Sequence, residues 1–368
     1  MLSYLVVLVV TAVAAFAATP LVRLLAVRIG AIDRPSDRKV HPKPTPTLGG
    51  LALWVACLAG LGVAYLLPAF DELFDVSSEP LGVILAGTVI VGLGSYDDLR
   101  GIAVPAKVAG QVLAAGIMIL TGVQLFWFWL PGLGVLSLGQ DLAVPLTVIW
   151  VVAMINAVNL IDGLDGLAAG VVTIAAAAFF LYVFRPSPVY PEGVSPAGLF
   201  SVLVAGAALG FLPHNFNPAK IFMGDSGSML LGLVLAAATI SGVGRTGESP
   251  TSAELAALAI PVVIPLLVLA VPFTDVIWAI ARRLRRRRPV YRPDKEHIHH
   301  RLLEIGHSHR AAVLLMYLWS ALLASVALAI TFIRSRALVA TVILAIAVIL
   351  VGTAAPRMRR ANGRVRAS

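Results

Sequence analysis

Long apolar runs alternate with short polar stretches from one end of the chain to the other. Most runs are roughly 17–25 residues long, the length that a helix needs to cross the hydrocarbon core of a bilayer. Because lipid cannot hydrogen-bond to the backbone, such runs are expected to be helices. The pattern predicts an all-α polytopic integral membrane protein with about eleven transmembrane helices, near residues 3–27, 48–69, 80–96, 105–123, 142–160, 166–184, 197–212, 227–244, 254–280, 312–333 and 337–355.

The composition agrees with this pattern. The chain has 368 residues, of which 59% are hydrophobic and only 13% charged, and its mean hydropathy is +0.92, whereas a soluble domain is about 25% charged. The first run carries its basic residues, Arg23 and Arg28, at its C-terminal end rather than before it, which predicts a retained helix and not a cleaved signal peptide. The single cysteine, Cys57, lies inside an apolar run and excludes an intramolecular disulfide.

The positions of Lys and Arg predict the orientation in the membrane. Most of them lie in loops 28–47, 97–104, 213–226 and 281–311 and in the tail 356–368, whereas the alternate loops hold only Arg185, Arg245, Arg334 and Arg336. The positive-inside rule places the first set of loops in the cytoplasm, with the N-terminus outside and the C-terminus inside. The net charge of +9 is therefore an orientation signal, and nucleic acid is not an expected partner.

Four polar groups emerge on this predicted cytoplasmic face, in different loops. They are Asp97-Asp98, the stretch Asn159-Leu-Ile-Asp162-Gly-Leu-Asp165, Asp225, and His297-Ile-His299-His300-Arg301. Unrelated loop residues would have about an even chance of falling on either side of the membrane. Their coincidence on one face indicates a single shared site.

The spacing in each group favours chemistry over a purely structural role. Adjacent carboxylates such as Asp97 and Asp98 repel unless a metal or a basic group lies nearby. Capping a helix needs one polar residue, whereas the stretch from Asn156 to Gly166 offers two amides and two carboxylates. The segment Gly224-Asp225-Ser-Gly-Ser opens a predicted helix, whose free N–H groups favour a phosphate, and Asp225 is able to hold Mg²⁺ against that phosphate.

The remaining groups are less specific. The histidine block could bind Zn²⁺, but it contains no cysteine and Arg301 would repel a metal, so phosphate contact fits better. The run Arg282–Arg288 reads as an anchor at an anionic leaflet, and Trp127 and Trp129 as interfacial anchors. Loop 28–47 ends in Pro-Thr-Pro-Thr-Leu-Gly-Gly, which is more specific than an orientation signal requires.

Together these blocks resemble the polyprenyl-phosphate N-acetylhexosamine-1-phosphate transferases of bacterial envelopes, glycosyltransferase family 4. Within this family, the His-Ile-His-His-Arg block resembles the branch that uses UDP-N-acetylglucosamine (UDP-GlcNAc). The resemblance implies that an undecaprenyl or decaprenyl phosphate attacks the sugar-bearing phosphorus of UDP-GlcNAc, and that UMP leaves. Mg²⁺ is the implied cofactor, with Mn²⁺ as the alternative. The product, polyprenyl-pyrophosphoryl-GlcNAc, would begin a cell-envelope polysaccharide of the teichoic acid, arabinogalactan-linker or O-antigen type.

The resemblance also implies individual roles. Asp97, Asp98 and Asp225 are the expected catalytic residues, and Asp98 and Asp225 the expected metal ligands. Contacts with the nucleotide sugar or with phosphate are implied for Lys43, Asn159, Asp162, Asp165, Phe222 (stacking on uracil), His299, His300 and Arg301. Many members carry a third acid three residues after the second aspartate, where this chain has Arg100-Gly-Ile, so that acid is not part of the expected site.

The expected organisation is one transmembrane catalytic domain over residues 1–355 and a basic cytoplasmic tail over 356–368. Its active-site loops would be 28–47, 97–104, 156–166, 213–226 and 281–311, on the cytoplasmic face of the bacterial cell membrane. The expected partners are UDP-GlcNAc, the polyprenyl phosphate and the membrane, and the resemblance allows a homodimer.

Other protein classes fit less well. A phospho-MurNAc-pentapeptide transferase of peptidoglycan synthesis is the alternative within the family, although that branch carries a different pattern of three histidines. A lipid or solute transporter would place charges near the bilayer midplane, and a CDP-alcohol phosphotransferase would concentrate its acids in one helical motif. A non-catalytic scaffold leaves the polar blocks unexplained.

Overall fold

A computed structural model describes residues 1–35, 43–130, 134–184, 194–242, 307–333 and 337–349. The helices are α1 (Leu2–Ile29), α2 (Gly49–Tyr65), α3 (Asp71–Val76), α4 (Glu79–Arg100), α5 (Val104–Leu120), α6 (Gln140–Ile161), α7 (Leu167–Val183), α8 (Pro196–Asn215), α9 (Gly224–Gly242), α10 (His309–Phe332) and α11 (Ala337–Ile349). Two antiparallel ribbons complete the described part: β1 (Ile32–Asp33) with β2 (Thr45–Pro46), and β3 (Trp127–Leu130) with β4 (Gly134–Ser137).

The predicted all-α membrane class is confirmed. Among the described residues, six helices are long and apolar enough to cross a bilayer: α1, α4, α6, α8, α9 and α10. A seventh candidate is α2 with the helical segment Pro68–Val76, and α5, α7 and α11 are shorter apolar helices. The total of eleven stays a prediction, and the ninth predicted span, 254–280, lies outside the described residues.

Two helix ends and one loop differ most from the prediction. The second span was expected to reach residue 69, but α2 ends at Tyr65 and the chain then bends by 92° into Pro68–Val76. Pro68 has no N–H to continue the helix, although the stretch before it is apolar. α4 continues through Asp97 and Asp98 to Arg100, and a ribbon forms at β3 and β4 in a stretch that was expected to be loop.

α8 and α9 form the centre of the bundle, because nearly all of their residues are buried. α9 packs against α2, α4, α6 and α8, and α8 packs against α1 and α7. Small residues allow these close approaches: a Cβ at Gly232 of α9 would lie 2.7 Å from the Cα of Ile155 in α6. By contrast, α1 exposes a row of large apolar side chains that is typical of a lipid-facing surface: Leu2, Leu5, Val9, Val13, Phe16, Leu21 and Leu24.

A proline inside α1 is compensated by a histidine from α8. Pro20 has no N–H, so the carbonyl of Phe16 loses its helical donor. The Nε2 of His214 donates to that carbonyl at 3.1 Å, and the two rings lie with their centroids 4.7 Å apart. His214 therefore ties α8 to α1.

The polar helix ends meet at one end of the bundle. The last turns of α4 and α6 and the first turns of α2 and α5 all contact the start of α9 or the residues just before it. The start of α7 contacts the end of α8, and the start of α10 contacts the α6–α7 turn. The sequence predicted that these segments share one face, and the described part of the structure brings them together.

Candidate active site

The segment that leads into α9 pairs with the start of α2. The N–H of Phe222 donates to the carbonyl of Pro46 at 2.8 Å, and the N–H groups of Gly49 and Gly50 donate to Phe222 and Met223 at 3.1 and 3.0 Å. A Cβ at Gly49 would lie only 2.6 Å from the Phe211 ring. The Pro-Thr-Pro-Thr-Leu-Gly-Gly motif therefore binds the segment that leads to Asp225 through backbone hydrogen bonds.

Asp98 caps the first turn of α9 from a different helix. One carboxylate oxygen accepts the N–H of Asp225 at 2.8 Å, and the other accepts the N–H and hydroxyl of Ser226 at 3.3 and 2.8 Å. The first N–H groups of a helix have no partner inside it, and a negative charge there is favourable. Asp98 thus fixes the position of Asp225. Direct coordination of a metal by Asp98 stays a prediction.

Asp225 lies at the centre of a charged cluster. The Nζ of Lys107 bridges it to Asp97, with 2.9 Å to the Asp97 oxygen. The amide of Asn159 donates to Asp225 at 2.5 Å and to the hydroxyl of Ser228 at 2.8 Å. The structure therefore joins three of the predicted site residues, Asp97, Asn159 and Asp225, through direct or bridged contacts.

Lys107 was missed by the sequence reasoning. It lies in the first turn of α5, inside the predicted span 105–123. An ionisable residue inside a membrane span is by itself a sign of a functional site. That signal was present in the sequence, although its partners, Asp97 and Asp225, were not readable from it.

The turn after α4 holds Asp97 in place. The N–H of Ile102 donates to the second carboxylate oxygen of Asp97 at 2.6 Å. Gly101, at φ 73°, provides the backbone conformation that folds Ile102 back onto the helix end. Asp97 thus has one oxygen on the backbone and one on Lys107.

Asp162 follows α6 and is half-buried. Within the described ranges, no N–H or O–H group donates to its carboxylate. Burial and the nearby negative charges of Asp225, Asp98 and Asp165 raise the pKa of the Asp162 carboxyl to about 8. A cation at this position would relieve that repulsion.

Asp165 has a different environment. One oxygen of its carboxylate accepts the side-chain amide of Asn217 at 2.9 Å and the N–H of Ala219 at 3.0 Å. The N–H of the next residue, Gly166, donates to the side chain of Asn215 at 3.0 Å. Asp165 therefore joins the α6–α7 turn to the α8–α9 loop, and its predicted contact with substrate is untested.

A polar layer lies one turn away along the same helices. The amide of Asn156 donates to the side chain of Gln111 at 2.7 Å, and Gln111 is fully buried and contacts the sulfur of Met229 at 3.5 Å. Asn156 and Gln111 lie three and four residues from Asn159 and Lys107 on α6 and α5, respectively. This layer supports the two helices that supply those side chains.

The other predicted site residues are placed as follows. Phe222 is half-buried three residues before Asp225, in the segment that pairs with the start of α2, and Lys43 is exposed two residues before β2. Neither the stacking of Phe222 on uracil nor the phosphate contact of Lys43 is tested. The histidine block, including His299, His300 and Arg301, lies outside the described residues.

The described side chains do not form a complete metal cage, since no group of three His, Cys, Asp or Glu converges among them. The donor chemistry nevertheless fits a hard cation such as Mg²⁺, which is typically held by one or two carboxylates and by substrate phosphates. Asp225 and Asp162 offer carboxylate oxygens. Among the described residues, the acids of the cluster outnumber the one lysine that contacts them, Lys107, and this excess of negative charge favours a cation.

Comparison with known proteins agrees with this geometry. Residues 80–243, which include the Asp97–Asp98 pair, Asn159 and Asp225, match the family model described as "Glycosyl transferase family 4". The chain is 42% identical over 356 residues to "Decaprenyl-phosphate N-acetylglucosaminephosphotransferase" of Mycobacterium tuberculosis, covering 95% of this chain and 88% of that protein.

More distant relatives extend the match. The chain is 37% identical over 301 residues to "Probable undecaprenyl-phosphate N-acetylglucosaminyl 1-phosphate transferase" of Bacillus subtilis, covering 82% of this chain and 77% of the relative. It is 28% identical over 315 residues to "Undecaprenyl-phosphate alpha-N-acetylglucosaminyl 1-phosphate transferase" of Escherichia coli, covering 83% and 77%. The chain belongs to glycosyl transferase family 4, in agreement with the resemblance found in its sequence motifs.

Proposed function

We propose that this protein transfers GlcNAc-1-phosphate from UDP-GlcNAc to a polyprenyl phosphate in the membrane, giving polyprenyl-pyrophosphoryl-GlcNAc and UMP. The observation that carries the proposal is the 42% identity, over 95% of the chain, to a protein named as a decaprenyl-phosphate N-acetylglucosaminephosphotransferase. The charged cluster around Asp225 supplies the chemistry that this reaction needs.

The reaction exchanges one phosphorus–oxygen bond for another. An oxygen of the lipid phosphate forms a bond to the sugar-bearing phosphorus of UDP-GlcNAc. The bond from that phosphorus to the oxygen of UMP breaks, and UMP keeps the electron pair. Since the nucleophile and the leaving group are both anionic, catalysis depends on positioning and on neutralising charge.

Lys107 is suited to neutralise charge at the reacting phosphates. It lies between Asp97 and Asp225, so both carboxylates hold its ammonium group at the site. Asp225 is held in position by Asp98, which caps α9, and by Asn159. Asp97 orients Lys107 and the lipid phosphate.

Mg²⁺ is the proposed cofactor, and Asp225 its first proposed ligand. Asp162 is the second oxygen donor that the structure favours, because its carboxylate accepts no hydrogen bond within the described part and lies among other acids. When bound, the ion would offset the charge of the pyrophosphate. Asp98 remains a proposed ligand as well, although both of its oxygens already accept hydrogen bonds.

The proposed site faces the cytoplasm, where UDP-sugars are made. Support comes from the positive-inside rule, which places the loops that join the polar helix ends on the cytoplasmic side. The same rule gives an N-terminus outside and a C-terminus inside. The convergence of those helix ends is consistent with a site at one membrane face.

The proposal is tested by following UMP release from the purified protein in lipid nanodiscs. UMP is expected only when UDP-GlcNAc, decaprenyl phosphate and Mg²⁺ are all present, and EDTA is expected to abolish it. Asp225→Asn should lower turnover by about 100-fold or more, because the proposed metal ligand loses its charge. Turnover at the wild-type rate without a divalent cation, or with Asp225→Asn, would remove the metal role.

The donor is tested in the same assay by competition. UDP-GlcNAc, UDP-MurNAc-pentapeptide and UDP-GalNAc are offered in equal amounts, and the lipid products are separated. We expect the GlcNAc product to dominate. A dominant MurNAc-pentapeptide product would assign the chain to the peptidoglycan branch instead.

A further inference from the structure

The start of α10 contacts the turn that carries Asp162 and Asp165. The Nε2 of His309 accepts the N–H of Asp165 at 3.0 Å. An imidazole nitrogen that accepts a hydrogen bond carries no proton, so His309 is held as the tautomer protonated on Nδ1. His309 is half-buried, and the hydroxyl of Ser308 caps α10 by accepting the N–H of Ala311 at 3.3 Å.

Two further hydrogen bonds make this contact part of a closed ring. The Asp165 carboxylate accepts the side-chain amide of Asn217, and the carbonyl of Asn217 accepts the Nε of Arg310 at 2.9 Å. Arg310 follows His309 directly, which closes the ring. We call these four residues, His309, Asp165, Asn217 and Arg310, the α10 clasp.

The packing of α10 on α7 also holds this turn in place. The hydroxyl of Tyr317 donates to the carbonyl of Gly166, the residue after Asp165. The Tyr317 ring occupies the space that a Cβ at Gly170 would need. The turn is thus held through the N–H of Asp165 at one residue and the carbonyl of Gly166 at the next.

The position of the turn matters because it carries Asp162, three residues before Asp165. The carboxylate of Asp162 accepts no hydrogen bond among the described residues, so its own side chain does not fix it. Asn159 and Asp225 are held by a direct hydrogen bond between their side chains. The location of Asp162 relative to them depends on the backbone of the turn, and the clasp fixes that backbone.

We propose that His309 is a positioning residue for the nucleotide-sugar part of the site, acting through the N–H of Asp165 on the turn that presents Asp162. This inference rests on the proposed function and on the contact with the nucleotide sugar that the family resemblance implies for Asn159 and Asp162. It assigns His309 no contact with substrate. It predicts that loss of the clasp weakens binding of the sugar donor more than binding of the lipid.

The test compares His309→Ala with His309→Gln, whose side-chain oxygen is able to accept the same N–H. Hydrogen–deuterium exchange is measured on peptides that cover residues 162–170, and the Michaelis constants are measured for UDP-GlcNAc and for decaprenyl phosphate. With His309→Ala we expect exchange of the turn to rise about tenfold, the order of one lost hydrogen bond. The KM for UDP-GlcNAc is expected to rise about tenfold, with the lipid KM within about threefold.

His309→Gln is expected to restore exchange and KM to near the wild-type values. His214→Ala is the matched control, because it removes a histidine hydrogen bond outside the site, between α8 and α1, and should leave both readouts unchanged. Arg310→Ala removes the hydrogen bond from the Arg310 side chain to the carbonyl of Asn217. It is expected to change both readouts in the same direction as His309→Ala, and this keeps the test valid if His309→Ala does not fold.

Unchanged exchange in His309→Ala, or equal increases in both KM values, would overturn the proposal. So would a failure of His309→Gln to restore them. If the wild-type protein releases no UMP from UDP-GlcNAc, the proposed function fails, while the exchange measurement still decides whether the clasp holds the turn.

Discussion

Asp162 is a carboxylate placed among other carboxylates. Its pKa is raised to about 8, first by burial and then by the charges of Asp225, Asp98 and Asp165. In the unfolded chain an aspartate titrates near its ordinary value of about 3.9. The stability gained by keeping the proton is therefore complete below about pH 4 and is lost progressively as the pH rises to about 8.

Asp162→Asn removes this pH dependence. Without Mg²⁺, the melting temperature of the variant minus that of the wild type should increase between pH 5 and pH 8 and then level off. The measurement is a set of thermal melts in detergent at several pH values. Millimolar Mg²⁺ should reduce the difference, because a cation near Asp162 favours its charged form. A difference that is the same at every pH would contradict this account of the carboxyl.

Lys107 is a residue of the candidate site that the polar sequence motifs did not predict. Asp97, Asp98, Asn159 and Asp225 were predicted from polar motifs, and the structure joins them at one site. Lys107 was hidden inside an apolar run, and the partners of Asp98 are mainly backbone N–H groups. Such partners follow from the packing of α4 against α9 and are invisible in a single sequence.

Lys107→Met is expected to lower kcat by about 100-fold or more, since Asp97 and Asp225 would lose their shared counter-charge. Lys220→Met, which removes an exposed lysine from the α8–α9 loop, is the control and should retain activity. The measurement is UMP release at saturating substrates. Near-wild-type turnover by Lys107→Met would exclude Lys107 from the site.

Among the elements, the contact between α4 and α9 positions the site. A Cβ at Gly94 of α4 would lie 2.5 Å from the N of Ser226 and 2.8 Å from the carbonyl carbon of Asp225. The close approach permitted by Gly94 lets Asp98, one turn later, reach the first N–H groups of α9. The close approach of α4 to α9 is therefore what allows the Asp98 side chain to hold Asp225 in position.

Gly94→Ala is expected to push the two helices apart, lower the melting temperature by several degrees and reduce activity at least about tenfold, as overpacking by one methyl costs about 1–3 kcal/mol. Gly92→Ala is the matched control in the same helix, because a Cβ there meets nothing within 4 Å. Thermal melts and UMP release measure both effects. Equal behaviour of the two variants would show that the close approach is unimportant.

Helix positions were more predictable than helix ends. Apolar length identified α4 and α6 within a few residues, because the bilayer imposes that length. It failed at α2, where Pro68 and a sharp bend interrupt an apolar stretch, and at β3–β4, where aromatic residues form a ribbon. These features depend on local backbone hydrogen bonding, which an apolar run does not encode.

For the whole molecule, the sequence predicted one polar end on an otherwise apolar helical bundle, and the described residues show it. The buried α8 and α9 form the centre, and the lipid-facing α1 lies outside them. The number of spans and the side of the membrane on which the polar end lies stay predictions, since both depend on a bilayer. The proposed reaction needs an anionic site at a membrane face and an apolar surface beside that site.

The central claim is that the group transferred is GlcNAc-1-phosphate, and the most direct measurement follows the phosphorus attached to the sugar. UDP-GlcNAc labelled with ³²P at that phosphorus is incubated with the purified protein, decaprenyl phosphate and Mg²⁺, and the lipid and nucleotide fractions are separated. The account predicts that the label moves to the lipid while unlabelled UMP is released. Label that stays with the nucleotide as UDP, while the sugar alone moves to the lipid, would contradict it.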